Sequence, residues 1–261
     1  SAVLGLLVVM LLLRFLPLPL YGIYITLGAA LEMHYLFSGF GLSTLIQRYL
    51  PLWRWPREML LPGWPGRILG THTGARLSKL LILRALVAVA LGGLALWGLS
   101  MWTAVGKEVM QLATPLVLLI WIGLACTARL AEEILAALMM QGSIQTLNAM
   151  GHLIRIVALL QHGHQQEVSL GWLLILESSV AAMTIATALA LALGELRTRS
   201  ACVTHLDEGT SATNPSHRPW RVSLGFWGVQ LLGLCFSGPA LRLLAAAWGG
   251  ATTAAMFGAA L

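Results

Sequence analysis

Eight ionisable side chains stand deepest inside long apolar stretches of the sequence, where a charge is costly. They are Glu32, His34, Arg129, Glu132, Glu133, His152, Arg155 and Glu177. A charged side chain at the centre of a bilayer costs about 2.5 to 3.5 kcal/mol on insertion scales, so such residues are functional candidates. An arginine in this position can hold an anionic substrate. A carboxylate can exchange a proton or a cation, or it can neutralise an arginine.

Three of these residues fall on one face of a single predicted helix. Arg129 is three residues before Glu132 and four before Glu133, and both spacings bring side chains together on a helix. One interpretation is a self-neutralising ion pair in the bundle interior. The other is a face that borders a water-filled cavity, where Arg129 meets an anionic substrate and a glutamate exchanges a proton or cation. Arg155 follows across a predicted turn at Gln141-Gly142-Ser143 and is expected at similar depth, in the same polar cluster.

Glu32 and Glu177 each stand alone among apolar neighbours. Either residue could be a proton-coupling site, and either could be a carboxylic acid hydrogen-bonded between helices. His34 and His152 are interpreted as helix-packing residues rather than metal or haem ligands. Arg84 lies close enough to the end of its segment to extend its guanidinium to the cytoplasmic surface.

Composition identifies the kind of element that must carry these residues. Hydrophobic residues make up 58% of the 261 and charged residues only 10%, against about 25% charged in an ordinary soluble domain. Long, nearly charge-free runs indicate membrane helices, because a membrane barrel shows segments of about ten residues with alternating polarity. The sequence therefore predicts an all-α integral membrane protein, a polytopic helix bundle.

Several chemistries have no signature in the sequence. Its three cysteines, Cys126, Cys202 and Cys235, have no zinc-ligand spacing and no pairing pattern. The glycine-rich phosphate and dinucleotide fingerprints and the HExxH zinc motif do not occur. We therefore predict no metal, no cofactor and no nucleic-acid partner, and we expect no hydrolysis of nucleotides within this chain.

Counting about twenty apolar residues per crossing predicts seven transmembrane segments. They are Ser1–Leu16, Leu20–Gln47, Leu80–Met101, Ala113–Met140, Ile144–Leu160, Leu170–Leu193 and Val222–Ala247. The fifth segment is short and contains His152 and Arg155, so its periodicity alone also permits a helix at the membrane interface. Since both ends of the chain fall inside apolar runs, we expect it to be the N-terminal part of a longer protein.

Loop charges orient the bundle. Six arginines and lysines lie between the second and third segments and four between the sixth and seventh, so both loops are predicted to be cytoplasmic. An even number of crossings must then separate them, which requires Ile144–Leu160 to span. The protein is predicted to lie in the inner membrane of the cell, with its N-terminus in the cytoplasm.

Residues 195–221 are predicted to form a cytoplasmic linker. It connects a first six-helix lobe, 1–194, to the start of a second lobe, 222–261.

Short motifs stand at the ends of the predicted segments. They are Arg14, Pro19, Tyr21-Gly22, Gly41-Leu42-Ser43-Thr44, Arg48, Pro51, Gln141-Gly142, Asn148, Arg155 and Phe236-Ser237-Gly238-Pro239. In type and order these motifs resemble those of polysaccharide flippases in the multidrug/oligosaccharidyl-lipid/polysaccharide (MOP) exporter superfamily. The layout of segments is similar over nearly the whole chain, while the residue matches are confined to these patches. The Pro/Trp-rich second loop and Gly39 depart from the family pattern.

The resemblance implies two six-helix lobes that face a central cavity and work by alternating access, and hence a transporter rather than an enzyme. Cavity cations would engage a polyprenyl-pyrophosphate-linked glycan, and enzymes of glycan biosynthesis would be partners. On this basis Arg14, Arg129 and Arg155 are expected to bind substrate charge. The carboxylates are expected to couple transport or to form structural pairs; these are Glu32, Glu132, Glu133 and Glu177.

Other functions remain open at this level. A multidrug/cation antiporter or a lipid II flippase shares the same helix plan. A membrane-embedded glycosyltransferase, polymerase or ligase usually needs a large outer loop with catalytic residues, whereas the outer connections here are short. In a membrane scaffold that transports nothing, replacing the deep charges would affect stability alone.

Overall fold

A computed structural model of the chain describes residues 2–49, 73–102, 104–163, 167–203, 219–235 and 237–260. Most of the predicted second loop and most of the predicted linker lie outside these ranges. The described residues are helical with short connections and contain no strand, as the composition predicts. Their ten helices are α1 Ala2–Phe15, α2 Leu18–Phe37, α3 Leu42–Tyr49, α4 Thr73–Trp102, α5 Ala104–Leu112, α6 Pro115–Ala137, α7 Gln141–Gly163, α8 Leu170–Val203, α9 Pro219–Cys235 and α10 Gly238–Ala260.

Four stretches in the described part of the chain are long and apolar enough to cross a membrane. They are Ser78–Gly98, Pro115–Ala137, Gln141–Gly163 and Leu170–Glu195. A fifth candidate is the pair Gly225–Gly233 and Gly238–Met256, bent by 50°, if the pair counts as one span. The coarse prediction of an all-helical protein with several membrane-spanning helices is thus supported.

Seven spans are not confirmed. The first predicted segment forms a helix of only 14 residues, which is about 21 Å long at 1.5 Å per residue and short of a hydrocarbon core of about 30 Å. Helix α2 has 20 residues but carries Glu32 and His34 within them. The predicted fifth segment, doubtful from its periodicity, forms the 23 residues of α7 and is among the four candidates.

The second predicted segment is not one continuous helix, so that prediction is wrong. Helix α2 ends at Phe37, and the chain turns through Phe40 at φ 45° and Gly41 at φ 74° before α3 begins. Both residues adopt left-handed backbone, which glycine tolerates and which a continuing α-helix cannot contain. The Ser38 hydroxyl donates to the carbonyl oxygen of His34 at 2.6 Å and closes the end of α2.

The seventh predicted segment is also divided. Helix α9 ends at Cys235, α10 begins at Gly238, and Gly250 at φ 75° interrupts α10. The turn before α7 comes earlier than predicted, with Met139 at φ 62° and α7 starting at Gln141. Helix α8 continues to Val203, beyond the predicted end at Leu193.

Helix α6 is the best-buried helix and organises the others. Pro115 opens the helix with a fixed φ suited to a first turn. The side chains of α6 pack against α4 and α8, and Leu118, Leu130 and Leu135 are nearly inaccessible.

Helix α2 packs along α10. A side chain at Gly22 would collide with the carbonyl of Ala251, so glycine lets the two backbones approach closely. Helices α2, α6, α7 and α8 bring the polar residues together.

Candidate functional site

The most enclosed ion pair joins α7 to α8. Arg155 donates from Nε to Oε1 of Glu177 at 2.8 Å and from Nη2 to Oε2 at 2.7 Å, the parallel two-bond geometry that is strongest for these groups. The Tyr24 hydroxyl of α2 donates to the same Oε1 at 2.9 Å. The Arg155 and Glu177 side chains are only 22% and 16% exposed. Three helices therefore meet at one nearly dry, well-satisfied pair.

The absence of a side chain at Gly151 helps to place Arg155. A Cβ atom at that position would lie 3.3 Å from Nη1 of Arg155, which is one helical turn further along α7. Glycine therefore leaves room for the Arg155 guanidinium beside its own helix, where it reaches Glu177.

A second ion pair joins α6 to α2 and is far more open. Nη2 of Arg129 lies 3.1 Å from Oε1 of Glu32, one nitrogen to one oxygen. The two side chains are 49% and 39% exposed. Neither Glu32 nor Glu177 is an isolated carboxylic acid, because each pairs with an arginine from another helix.

Glu132 connects the two pairs electrostatically. It lies within Coulombic range of both Arg129 and Arg155. Arg129 and Arg155 thus share a polar region, although they do not share a partner. Glu132 is the third carboxylate near these two guanidinium groups, after Glu32 and Glu177, and Glu133 also lies within Coulombic range of Arg129. Arg129 forms its ion pair with Glu32 of α2 rather than with Glu132 or Glu133 of its own helix.

Glu133 points to a different place. It takes part in side-chain hydrogen bonds with Tyr35 and Ser43, near the break between α2 and α3. Its Oε2 atom is buried and has no hydrogen-bond partner in the described part of the chain. Glu132 and Glu133 therefore have different surroundings. Their spacings from Arg129, three and four residues, did not distinguish them.

The break after α2 is held by a buried arginine, which corrects the prediction that Arg84 extends to the surface. Arg84 is only 4% exposed, and it donates to the carbonyl oxygens of Tyr35, at 2.8 Å, and Ser38. Its guanidinium carbon lies 4.9 Å from the centre of the Tyr35 ring. The last carbonyls of a helix lack intrahelical donors and form the negative end of its dipole, so a cation satisfies them there.

Helix α9 contacts the same corner from beyond the predicted linker. Trp227 donates from Nε1 to the carbonyl oxygen of Leu36 at 2.8 Å, and its ring lies 5.7 Å from that of Phe40. His34 lies 3.0 Å from the carbonyl oxygen of Ala88, through Nε2, as expected of a packing residue. Arg84 and Trp227 together supply three side-chain bonds to the end of α2.

Arg14 is not brought into the cluster. Its side chain is exposed, and its guanidinium carbon lies 5.8 Å from the centre of the Phe15 ring. Within the described ranges no ion pair of Arg14 is found. The three predicted cations therefore have different surroundings. Arg14 lies near the end of α1, Arg129 lies in the open pair with Glu32, and Arg155 lies in the closed pair with Glu177.

Tyr24 is the contributor to the site that the sequence reasoning missed. A tyrosine hydroxyl buried among apolar side chains usually finds a hydrogen-bond partner. A polar group facing inward on α2 could therefore have been matched to one of the deep carboxylates.

The described residues contain no group of three His, Cys, Asp or Glu side chains able to hold a metal ion. No protein-family model matches the chain, and comparison with characterised proteins and with solved structures finds no significant match. The polar cluster and the helices that carry it are therefore the features of this chain that bear on its function.

Proposed function

We propose that this chain is the first lobe of a membrane transporter that moves a lipid-linked oligosaccharide or polysaccharide precursor by alternating access. In this proposal it lies in the inner membrane with its N-terminus in the cytoplasm. The observation that carries the proposal is the Arg129–Glu32 pair, half exposed on two helices of a largely apolar bundle.

The exposure of Arg129 is informative because this residue lies well inside a candidate membrane span. Arg129 is eight residues before the end of α6, about 12 Å from that end at 1.5 Å per residue. Charges this far inside a candidate span face water or protein rather than lipid. An open charged pair on α6 and α2 is therefore best explained by a hydrated cavity beside the lobe, and a transport pathway supplies one.

The chemistry of the open pair favours an anionic headgroup. A guanidinium group binds phosphate oxygens through two parallel bonds, whereas Glu32 uses only one of the Arg129 nitrogens in the contact found. The glycan-linked pyrophosphate is taken from the resemblance to the polysaccharide flippases in the hairpin around Tyr21-Gly22 and Gly41-Leu42-Ser43-Thr44.

A cation antiporter is the second candidate, because carboxylates outnumber guanidinium groups in the polar region. Glu132 lies near both arginines, and a third carboxylate among two cations could bind a proton or a cationic drug. This candidate predicts proton- or sodium-driven efflux of organic cations.

Deletion of the gene in its host tests the proposal. We expect polyprenyl-linked oligosaccharide to accumulate on the cytoplasmic face, and a plasmid copy of the wild-type gene to restore export. Normal export with loss of polymerisation would indicate an enzyme. Normal export together with increased sensitivity to cationic drugs would indicate the antiporter.

Site variants on the same plasmid separate transport from a scaffold role. Arg129→Gln should fail to restore export while inserting at wild-type levels, and Arg129→Lys, which keeps the charge, should restore part of it. Full export by Arg129→Gln would remove Arg129 from the substrate site.

A further inference from the structure

Glu132 differs from the other carboxylates of the polar region because it has no partner of its own. Its side chain is half-buried, and among the described residues no hydrogen bond or ion pair of Glu132 is found. The other three carboxylates each have such contacts; they are Glu32, Glu133 and Glu177. Hydrogen bonds and ion pairs to a carboxylate stabilise its ionised form. Glu132 is therefore the carboxylate of this region that a proton neutralises most easily.

The charges of the polar region do not balance. Four carboxylates lie among three guanidinium groups, so the region carries one excess negative charge; the groups are Glu32, Glu132, Glu133 and Glu177 with Arg84, Arg129 and Arg155. The groups that act directly on Glu132 are Arg129 and Glu133 of α6 and Arg155 of α7. Since the arginines have their own contacts in α2 and α8, the excess charge falls on Glu132, and one proton there removes it.

Arg129 can bind a further anion while it keeps Glu32. The contact uses the Nη2 atom of Arg129, and the side chain is 49% exposed, so its other nitrogens remain open to a ligand. An anion bound to them lies on the face of α6 that also carries Glu132, three residues further along the helix. The two negative charges repel each other. A proton on Glu132 removes this repulsion.

We propose that the Arg129 site binds its anionic ligand together with one proton, and that Glu132 takes up the proton. The proton comes from water and forms an O–H bond on the Glu132 carboxylate, and no other bond is made or broken. This inference rests on the proposed function and adds to it the coupling of the anionic headgroup to a proton. Because linkage is reciprocal, the proton strengthens anion binding by the same factor by which the anion strengthens proton binding.

The pH dependence has a definite sign. Anion affinity is highest where Glu132 is protonated and falls as the pH rises through the range in which Glu132 loses its proton. Uptake of one proton limits the fall to about tenfold per pH unit. An uncharged ligand does not repel the Glu132 carboxylate, so its affinity does not follow the pH.

Isothermal titration calorimetry on the protein in lipid nanodiscs tests the proposal. The probe is farnesyl methyl phosphate, a phosphodiester whose single negative charge does not titrate near neutral pH, and farnesol is the uncharged control. Comparison of buffers with different ionisation enthalpies counts the protons taken up on binding. Where the affinity changes with pH, wild-type protein should take up as much as about one proton per phosphodiester bound and none per farnesol.

Replacement of Glu132 should remove the coupling. Glu132→Gln should bind the phosphodiester without proton uptake and with no pH dependence, and at high pH it should bind about fivefold more tightly than wild type, at the lower end of ordinary coupling. Glu132→Asp keeps a carboxylate and should keep the proton uptake. Glu133→Gln, the same change at the next residue of α6, is the matched control and should also keep it. Arg129→Gln should bind the phosphodiester no better than farnesol.

Phosphodiester binding by wild-type protein without proton uptake would overturn the inference. Proton uptake that persists in Glu132→Gln, or folded wild-type protein that does not bind the phosphodiester, would do the same. If Glu132→Gln fails to fold, Glu132→Met, which also lacks a carboxyl group, takes its place. The export assay decides the proposed function separately. Proton-linked binding without an export phenotype rejects the transporter but not the inference, and loss of export without proton uptake rejects only the inference.

Discussion

The two interhelical ion pairs use the same residue types in opposite ways. Arg155 and Glu177 share two short bonds, receive a third from Tyr24 and are mostly covered. Arg129 and Glu32 share one longer contact and stay half exposed. Both pairs join an arginine to a glutamate, so charge does not distinguish them. They differ in burial and in the number of hydrogen bonds, and these properties separate a structural ion pair from one that can exchange partners.

Arg155 is one of the three arginines that the resemblance assigns to substrate charge, and it lies in the closed pair with Glu177. Arg155 cannot meet an anion without leaving Glu177, and a buried carboxylate left alone costs several kcal/mol. Arg129 can change partners for about 1 kcal/mol or less. Under the proposed function, Arg129 is therefore the better candidate for binding substrate charge, whereas Arg155 joins α7 to α8 and α2.

Breaking the closed pair should give the largest effect. Arg155→Met leaves the Glu177 carboxylate buried without its cation, and we expect a loss of about 3 to 5 kcal/mol in stability. Thermal unfolding of the purified protein in detergent, followed by size-exclusion chromatography, measures the loss. Unfolding at the wild-type temperature would mean that the joint contributes little and would remove the contrast between the pairs.

Removing only the third bond should cost less. Tyr24→Phe keeps the ring and deletes the hydroxyl that donates to Glu177. We expect about 0.6 to 1.7 kcal/mol, the range for hydrogen bonds between membrane helices. Tyr21→Phe, one turn earlier in α2, is the matched control, because no hydrogen bond from Tyr21 to Glu177 is found in the described residues. Equal losses for both variants would assign the effect to packing.

Breaking the open pair should barely affect stability while it affects function. Arg129→Gln should lower stability by less than about 1 kcal/mol and lower export at least tenfold. Unfolding and export measured on the same preparations test both statements. A loss as large as that of Arg155→Met would show that the open pair is also a structural joint.

Exchanging the two charges of the open pair should give the smallest net loss of stability. The same exchange in the closed pair should not be tolerated, and this difference separates the two pairs. In the open pair, Glu32→Arg combined with Arg129→Glu should recover most of the stability that either single change loses, with a coupling energy of about 0.5 kcal/mol. Exchange of Arg155 and Glu177 should not recover stability, because Tyr24 and the space at Gly151 suit one orientation only. A double-mutant cycle for each pair tests this, and equal recovery in both would contradict the assignment.

The coarse architecture could be predicted because it depends on composition. Apolar runs of about twenty residues have few alternatives to helices in a membrane, and α6, α7 and α8 lie close to their predicted positions. The breaks at Phe40-Gly41 and Gly250 could not be placed. Glycine and aromatic residues also occur within continuous membrane helices, so only the backbone conformation identified where each helix stops.

The sequence by itself determined that deep charges exist, which residues carry them and that they lie in helices. It did so because side-chain charge and apolar length are local properties. Only the tertiary structure decided that Arg129 pairs with Glu32, that Tyr24 completes the Arg155–Glu177 joint and that Arg84 closes the end of α2. Partners more than twenty residues apart are chosen by how helices pack, and helix packing depends on the whole set of contacting surfaces rather than on the spacing within one helix.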